Sequence, residues 1–190
     1  MNELCEHVVK ELIRRGFEAV AVETKDEAKA LVLQEAETAG SVGWGGSETI
    51  KEIGAREALV ASGREIRDHR SDCDLFLLSA NAVTRDGRIV NIDGNGNRVA
   101  ASIHGPSRVV YVIGANKIVD GGLDDAIARI RRCACPPNAK RLGRRTPCAL
   151  TGKCTDCDSP DRMCKVIAVF ERQPTRTPTK VIVVNEPLGY

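Results

Sequence analysis

Apolar residues recur at helical spacing over the first stretch of the chain. They fall on one face from Leu4 to Leu12, and Gly16 follows where a helix would stop. A second helix is predicted to start at Thr24, because Thr24 and Glu27 have the spacing of a capping box, which satisfies backbone N–H groups at a helix start. The pattern therefore predicts two helices separated by a short apolar run.

Short apolar runs typical of buried strands alternate with helical patterns along the rest of the chain. A third helix is predicted to start at Ser47, with Gly54 weakening its middle, and a fourth to cover 120–133. The strand-like runs cover residues 17–22, 42–44, 74–79, 107–113, 166–170 and 181–184. Strands that alternate with helices are typical of an α/β fold, so we expect a mainly parallel sheet flanked by helices on both faces.

The clearest local signal is a β-hairpin. Residues 81–84 and 89–92 flank Asp86 and Gly87, a dipeptide favoured at the tight turn between antiparallel strands. Antiparallel pairing differs from the rest of the predicted sheet. We therefore expect an inserted hairpin that adds an antiparallel extension.

Composition limits the classes of protein that remain. The chain has 190 residues, 42% of them hydrophobic, so we expect a single domain over 1–190. A net charge of +2 and an aromatic content of 3% argue against a nucleic-acid partner. No apolar run approaches the roughly 20 residues that span a bilayer, and the first residues do not resemble a signal peptide. We expect a cytoplasmic protein with no membrane association, whereas the oligomeric state stays open.

A cysteine-rich segment over 133–165 contains the sharpest chemical pattern. In a reducing compartment, cysteines are expected to be ligands or free thiols rather than disulfides. Cys148, Cys154, Cys157 and Cys164 are the predicted metal ligands, because four thiolates can surround a zinc ion or an iron–sulfur cluster. Soft thiolates suit both, so these residues leave the metal's identity open.

Four other cysteines have a weaker pattern. Cys133 and Cys135 are two positions apart, a spacing that chelates poorly unless the chain is extended, so they are extra ligands, a redox pair or the end of a helix. Cys5 and Cys73 lie in apolar surroundings, and we expect both to be packing residues.

A first glycine-rich loop lies between a predicted strand and a predicted helix. Gly45, Gly46 and Ser47 would present backbone N–H groups at the helix start, where a phosphate or carboxylate can approach closely. The alternative is a simple turn in which Ser47 caps the helix.

A second loop, over 92–98, is a stronger candidate for binding an anion. Gly94, Asn95, Gly96 and Asn97 supply flexible backbone and exposed amides. Arg98 could grip a carboxylate or phosphate with two hydrogen bonds, and we predict a catalytic role for it. Asp93 is the predicted acid or base, although aspartate in a turn often only binds the loop's own amides. The other predicted ligand-binding residues at the same sheet edge are Ser79, Asn81, Asn116 and Lys117.

Four segments, taken in their order along the chain, together resemble the lactate-utilisation (LUD) domain family. They are GGSxTI at 45–50, SANAVT at 79–84, NIDGxGNR at 91–98 and GxNKIV at 114–119. The resemblance implies a fold of the sugar-phosphate isomerase and CoA-transferase type, with ligands at the strand ends where these loops meet.

The family is linked to bacterial lactate oxidation, in which LUD proteins act beside iron–sulfur subunits. The resemblance therefore favours an iron–sulfur cluster, of the 4Fe-4S type, over zinc, and it implies an electron-transfer partner protein. This chain differs from the iron–sulfur member by lacking a ferredoxin-like domain. It differs from the simplest members by carrying four cysteine ligands inside its own domain.

Three hypotheses for the function follow. The first is an iron–sulfur redox protein that binds a small anionic metabolite, such as lactate or another 2-hydroxy acid, in organic-acid utilisation. The second is a non-redox isomerase, hydrolase or transferase for a phosphorylated or CoA-linked compound, with structural zinc. The third is a non-catalytic metabolite-binding subunit, since no catalytic triad is visible in the sequence.

Overall fold

The computed structural model describes residues 2–67 and 71–190. Its larger sheet consists of strands β1 (Glu18–Val22), β2 (Ser41–Trp44), β3 (Glu65–Ile66), β4 (Leu75–Leu78), β7 (Arg108–Gly114) and β10 (Thr179–Val184). Their order is β1-β10-β7-β4-β2-β3, and every neighbouring pair is parallel. The predicted α/β fold with a mainly parallel sheet is confirmed.

The predicted hairpin belongs to a second sheet. This sheet contains β5 (Ala82–Thr84), β6 (Ile89–Asp93), β8 (Ile118–Val119) and β9 (Val166–Phe170), in the order β8-β5-β6-β9. Gly87 has a φ of +82° at the hairpin turn, which explains the glycine there. The expected extension of the main sheet is therefore corrected: β9 pairs antiparallel with β6 and gives the hairpin a sheet of its own.

The helices begin and end at residues whose chemistry explains the boundaries. They are α1 (Glu3–Arg14), α2 (Lys25–Ala36), α3 (Glu48–Glu52), α4 (Ala55–Ala61), α5 (Asn97–Ile103), α6 (Leu123–Arg129), α7 (Cys135–Arg141) and α8 (Pro147–Thr151). Thr24 Oγ1 accepts a hydrogen bond from the backbone N–H of Glu27, which is one half of the predicted capping box, whereas the Glu27 carboxylate accepts from the backbone N–H of Glu23. Gly54, with a φ of +67°, separates α3 from α4, so the predicted third helix is two short helices.

The predicted fourth helix is longer and less regular than the sequence suggested. A π-helical turn, Ile130–Ala134, joins α6 to α7, so the helical path runs from Leu123 to Arg141. The sequence predicted no helix beyond 133, because the residues that follow show little helical periodicity. The prolines at 136 and 137 are tolerated because they lie in the first turn of α7.

The core is divided between the two faces of the larger sheet. Phe76 and Leu78 of β4 pack towards α1 and the hairpin, whereas Leu75 and Leu77 pack towards α2, α3 and α4. Cys5 and Cys73 are buried in the first of these clusters, as expected of packing residues. A third cluster fills the space between the second sheet and α6.

Three adjacent parallel strands place their carboxyl ends along one edge of the sheet. They are β7, β4 and β2, and the segments that follow them begin at Ala115, Ser79 and Gly45. Ligand crevices in open α/β sheets form at this edge. The fold therefore brings together loops that are far apart in the sequence.

Candidate functional site

A crevice of about 690 Å³ opens at the carboxyl edge of the larger sheet. Ten residues predicted from the sequence line it: Gly46, Ser47, Ser79, Asn81, Asp93, Gly94, Asn95, Asn97, Arg98 and Lys117. Gly45, Gly96 and Asn116 were also predicted, but they do not line it. Most of the predicted loops therefore do meet at one place.

Gly45 and Asn116 do not line the crevice, but each contacts residues close to it. A Cβ atom on Gly45 would lie 2.9 Å from Cγ of Arg98, so this glycine lets the arginine side chain pack against the loop. Asn116 holds the end of the chain: its Oδ1 accepts from the backbone N–H of Leu188 and its Nδ2 donates to the carbonyl oxygen of Gly189.

Arg98 is engaged by the protein itself. Its Nη2 donates to Oδ1 of Asn81 at 2.8 Å and to the carbonyl oxygen of Ile92 at 3.0 Å, and its Nη1 donates to the carbonyl oxygen of Ser79 at 3.3 Å. Its Nε lies 3.7 Å from Oδ2 of Asp93. Arg98 therefore ties the 92–98 loop to the segment that follows β4, and it contributes positive charge to the crevice wall.

Asp93 has a similar organising position. Its Oδ1 accepts hydrogen bonds from the backbone N–H groups of Gly94 and Gly96, and its Oδ2 accepts one from Val99 at the start of α5. These contacts fix the loop that carries the glycines and asparagines. An acid or base role for Asp93 stays a prediction, and its present contacts are structural.

Lys117 is the most unusual polar side chain at the site. It is only 4% exposed, and its Nζ donates to Oγ1 of Thr49 at 2.6 Å and to Oγ of Ser79 at 2.8 Å. Burial, with smaller contributions from Arg129 and Arg98, lowers the pKa of Lys117 to about 7. The sequence suggested Lys117 only as added charge, whereas the structure gives it an environment that favours a neutral amine.

Arg129 is an organising residue that the sequence did not reveal. Its guanidinium donates to the carbonyl oxygens of Asn81 at 2.8 Å, Tyr190 at 3.0 Å and Asn116 at 3.0 Å. It thereby connects α6 to two of the strand-end loops and to the end of the chain. No local signal marked it, because on the predicted helix it lies away from the face formed by Leu123, Ile127 and Ile130.

Positive charge predominates around the crevice. Besides Lys117, whose pKa is lowered, six cationic side chains line it: Arg56, Arg98, Arg141, Arg144, Arg162 and Lys165. Three acidic side chains do so: Glu48, Asp93 and Asp161. Such a balance in a concave site favours an anionic ligand.

A second, smaller cavity lies against the crevice and is lined by thiols. Five cysteines contribute to it: Cys135, Cys148, Cys154, Cys157 and Cys164. All four predicted metal ligands are therefore brought to one cavity, and Cys135 joins them. Cys133 is exposed and lines neither cavity.

Cys135 and Cys164 are the most closely associated thiols. Their Sγ atoms lie 3.5 Å apart. The hydrogen bond between the two thiols, together with Arg162 and Arg131, lowers the pKa of Cys164, whereas that same hydrogen bond and burial raise the pKa of Cys135. Cys164 is therefore the thiol of this pair that ionises more readily.

The thiol-lined cavity supplies suitable donors but is small. Thiolates are the ligands that zinc and iron–sulfur clusters use. The cavity volume is about 20 Å³. Within 2–67 and 71–190, no three His, Cys, Asp or Glu side chains converge closely enough to hold a single metal ion. The donor set therefore fits the predicted metal chemistry, whereas the described thiols lie too far apart to hold a single ion unless they move closer together.

The pairing of β9 with β6 explains why the two cavities adjoin. Asp93, at the end of β6, pairs with Val166, which follows Cys164 by two residues. Cys135, Arg162, Met163 and Cys164 consequently line both cavities. The sequence could not place the cysteines next to the crevice, because this depends on a pairing between strands about 75 residues apart.

These features define an α/β protein with a cationic ligand crevice at the carboxyl edge of its sheet. The sequence model of the LUD domain family matches residues 5–184, and this chain belongs to that family. The resemblance noted from its loop motifs is thus confirmed.

Comparison with solved structures supports the same fold. The crystal structure of a DUF162 family protein from Deinococcus radiodurans superposes with a TM-score of 0.59, covering 96% of this chain and 97% of the other, at 14% sequence identity. At that identity, the similarity shows the fold alone. A comparison with curated proteins gave no significant match. In the part of the chain that the structure describes, no helix is long and apolar enough to cross a membrane.

Proposed function

We propose that this LUD-domain protein binds a small anionic metabolite in the crevice and carries an iron–sulfur cluster, of the 4Fe-4S type, in the adjoining cysteine segment. The observation that supports this most directly is the wall shared by the two cavities, to which Cys164 and Arg162 both contribute. A redox centre and its substrate must lie close together, and this wall would bring them into contact.

The proposed metabolite is a 2-hydroxy acid such as lactate, or its oxidised 2-oxo form. The cationic residues of the crevice would hold its carboxylate, and hydrogen bonds to charged groups favour such binding. Arg98 would act mainly by fixing the loops, because its guanidinium already donates to Ser79, Asn81 and Ile92.

Cys148, Cys154, Cys157 and Cys164 are the proposed cluster ligands. A bound cluster would supply one-electron transfer to or from a partner protein. Arg162 donates to the carbonyl oxygens of Cys157 and Cys164. These contacts hold two of the four ligands in place and add positive charge beside them, which favours the thiolate form that metal binding requires.

Metal analysis of protein purified without oxygen tests this proposal. We expect iron and acid-labile sulfide, a brown colour, and loss of both in Cys154→Ser and Cys157→Ser. Cys133→Ser is the matched control, because Cys133 is exposed and lines neither cavity. Iron that persists in both ligand variants, or metal-free wild-type protein after anaerobic reconstitution, would contradict the proposal.

A second candidate function is favoured by the sizes of the two cavities. A crevice of about 690 Å³ is large for a three-carbon acid, and it suits a phosphorylated or CoA-linked compound. A thiol-lined cavity of about 20 Å³ is small for a four-iron cluster, and a single zinc ion would need its thiols to move a shorter way together. These features fit a non-redox isomerase, hydrolase or transferase with structural zinc.

The two candidates differ in metal and in ligand. Colourless protein with one zinc ion per chain, and tighter calorimetric binding of a phosphorylated compound than of lactate, would favour the second candidate. Brown protein that binds lactate or pyruvate more tightly would favour the first.

A further inference from the structure

Lys117 is an amine buried at the wall of the crevice. It is 4% exposed, it lines the cavity, and it is held by the hydroxyl groups of Thr49 and Ser79. In the part of the chain that the structure describes, no carboxylate forms an ion pair with its Nζ. Of the charged groups that act on it, Arg129 and Arg98 oppose its protonation, and Glu52 favours protonation with the smallest of these effects.

This environment favours the neutral amine. An ammonium group removed from water and placed beside other cations loses its solvation and is repelled, so it releases its proton more readily. The pKa of Lys117 is accordingly lowered to about 7. A neutral lysine amine is a nucleophile for carbonyl groups, and desolvation next to a cationic group is a known means of activating it.

We propose that Lys117 forms an imine with the carbonyl group of an anionic metabolite, such as a 2-oxo acid, bound in the crevice. This inference rests on the anion binding proposed above. The amine nitrogen attacks the carbonyl carbon, the C=O bond breaks, and a C=N bond forms. The oxygen leaves as water with the two amine protons, so no oxidant or reductant is needed.

Thr49 and Ser79 are positioned to assist this step. Their hydroxyl groups lie 2.6 and 2.8 Å from Nζ, within reach to pass protons between the nitrogen and the departing oxygen. The imine would withdraw electrons from the adjacent carbon. The reaction class would therefore be proton removal or carbon–carbon cleavage next to a carbonyl group.

Reductive trapping tests the inference directly. The whole protein is incubated with pyruvate, and separately with glyceraldehyde 3-phosphate, in the presence of sodium borohydride. We expect at least one probe to add one reduced group per chain, located by peptide mass mapping on the peptide that contains Lys117. The trapping rate at fixed probe concentration should rise as the pH increases through about 7, because the neutral fraction of Lys117 rises.

Variants distinguish imine formation at Lys117 from labelling of exposed lysines. Lys117→Met should lose the adduct, whereas Lys10→Arg should retain it, because Lys10 is an exposed residue of α1. Ser79→Ala should slow trapping without abolishing it. Circular dichroism checks that the variants fold. The peptide mapping uses the wild-type chain, so its result stands even if a variant does not fold.

Calorimetry with each probe, without borohydride, measures anion binding separately from imine formation at Lys117. Binding without an adduct at Lys117 would overturn the imine but leave the anion site intact. Neither binding nor an adduct with both probes would overturn both proposals. Labelling spread equally over exposed lysines would also overturn the imine.

Discussion

The Sγ atoms of Cys135 and Cys164 lie 3.5 Å apart, in the wall that separates the crevice from the thiol-lined cavity. They approach from different elements: Cys135 begins α7, and Cys164 lies just before β9. The fifth cysteine of the cavity is therefore on the side that faces the proposed substrate. This position favours one of the roles that the sequence left open for Cys135, that of an extra ligand.

Replacement of Cys135 should weaken metal binding. Cys135→Ser removes the thiol that hydrogen-bonds Cys164, and changes next to a metal ligand typically cost about 10-fold or more in affinity. Competition with a chelator on reconstituted protein measures this effect. Cys133→Ser is the control, because Cys133 is two residues away but exposed. Equal metal affinities for the two variants would show that Cys135 does not contribute.

Loss of Arg129 should destabilise the fold as well as the site. Arg129→Ala removes the charged donor that binds the carbonyl oxygens of Asn81 and Asn116, and we expect the free energy of unfolding to fall by about 2 kcal/mol. Urea denaturation measures this change. Arg132→Ala, on the exposed side of the same helical path, should change stability by about 0.5 kcal/mol or less. Similar losses in both variants would contradict the role assigned to Arg129.

Stability should depend on pH through Lys117. In the folded chain, Lys117 loses its proton near pH 7, whereas an unfolded lysine keeps it up to about 10.5. Between these values the unfolded state binds more protons, so this group makes the folded state more stable as the pH rises, by at most about 1.4 kcal/mol per pH unit.

Unfolding of the wild type and of Lys117→Met at a series of pH values measures this dependence. The stability of the wild type relative to the variant should rise above pH 7, with no comparable rise below it, where both states of the wild type are protonated. Parallel stability curves for the two proteins from pH 7 upward would contradict the shifted pKa.

A side chain at Gly45 should displace Arg98, which lines the crevice. In Gly45→Ala the new methyl group would lie 2.9 Å from Cγ of Arg98, whose guanidinium is fixed by three hydrogen bonds. We expect a loss of about 1–3 kcal/mol in stability and weaker binding of pyruvate.

Gly122→Ala is the matched control for Gly45→Ala. A Cβ atom on Gly122 would meet nothing within 4 Å, so the stability cost should be about 1 kcal/mol or less and binding should be unchanged. Unchanged pyruvate binding in Gly45→Ala would show that the position of Arg98 does not matter for the ligand.

The sequence was informative about the site wherever one loop carries several of its residues. The sequence predicted that the 92–98 loop and the segments containing Ser79 and Lys117 lie at the same edge of the sheet, because parallel strands end on the same side. Gly45, Gly96 and Asn116 belong to the right loops but do not line the crevice. Loop membership does not determine which way a residue faces.

Residues outside the glycine-rich loops were missed because nothing local distinguishes them. Thr49 belongs to the GGSxTI motif, but no contact was predicted for it, and in the structure its hydroxyl contacts Lys117. Arg141, Arg144 and Arg162 are three of many arginines, and only the packing of the cysteine segment against the crevice makes them part of its wall. A charge pattern in the sequence cannot reveal such packing.

The sequence by itself determined the features that depend on neighbouring residues. The cap at Thr24, the break at Gly54 and the hairpin turn at Gly87 follow from local hydrogen bonds and backbone conformation. The alternation of helices and buried strands predicted the α/β class, because only a parallel sheet covered on both faces buries those strands.

Only the tertiary structure decided how the chemical groups combine. Lys117 contacts Thr49 and Ser79 across 68 and 38 positions of the chain, and Cys164 contacts Cys135 across 29. The separate sheet of the hairpin likewise depends on β9, which is distant in sequence. The ionisation of a lysine or a thiol is set by burial and by nearby charges, and both arise only when distant segments pack together.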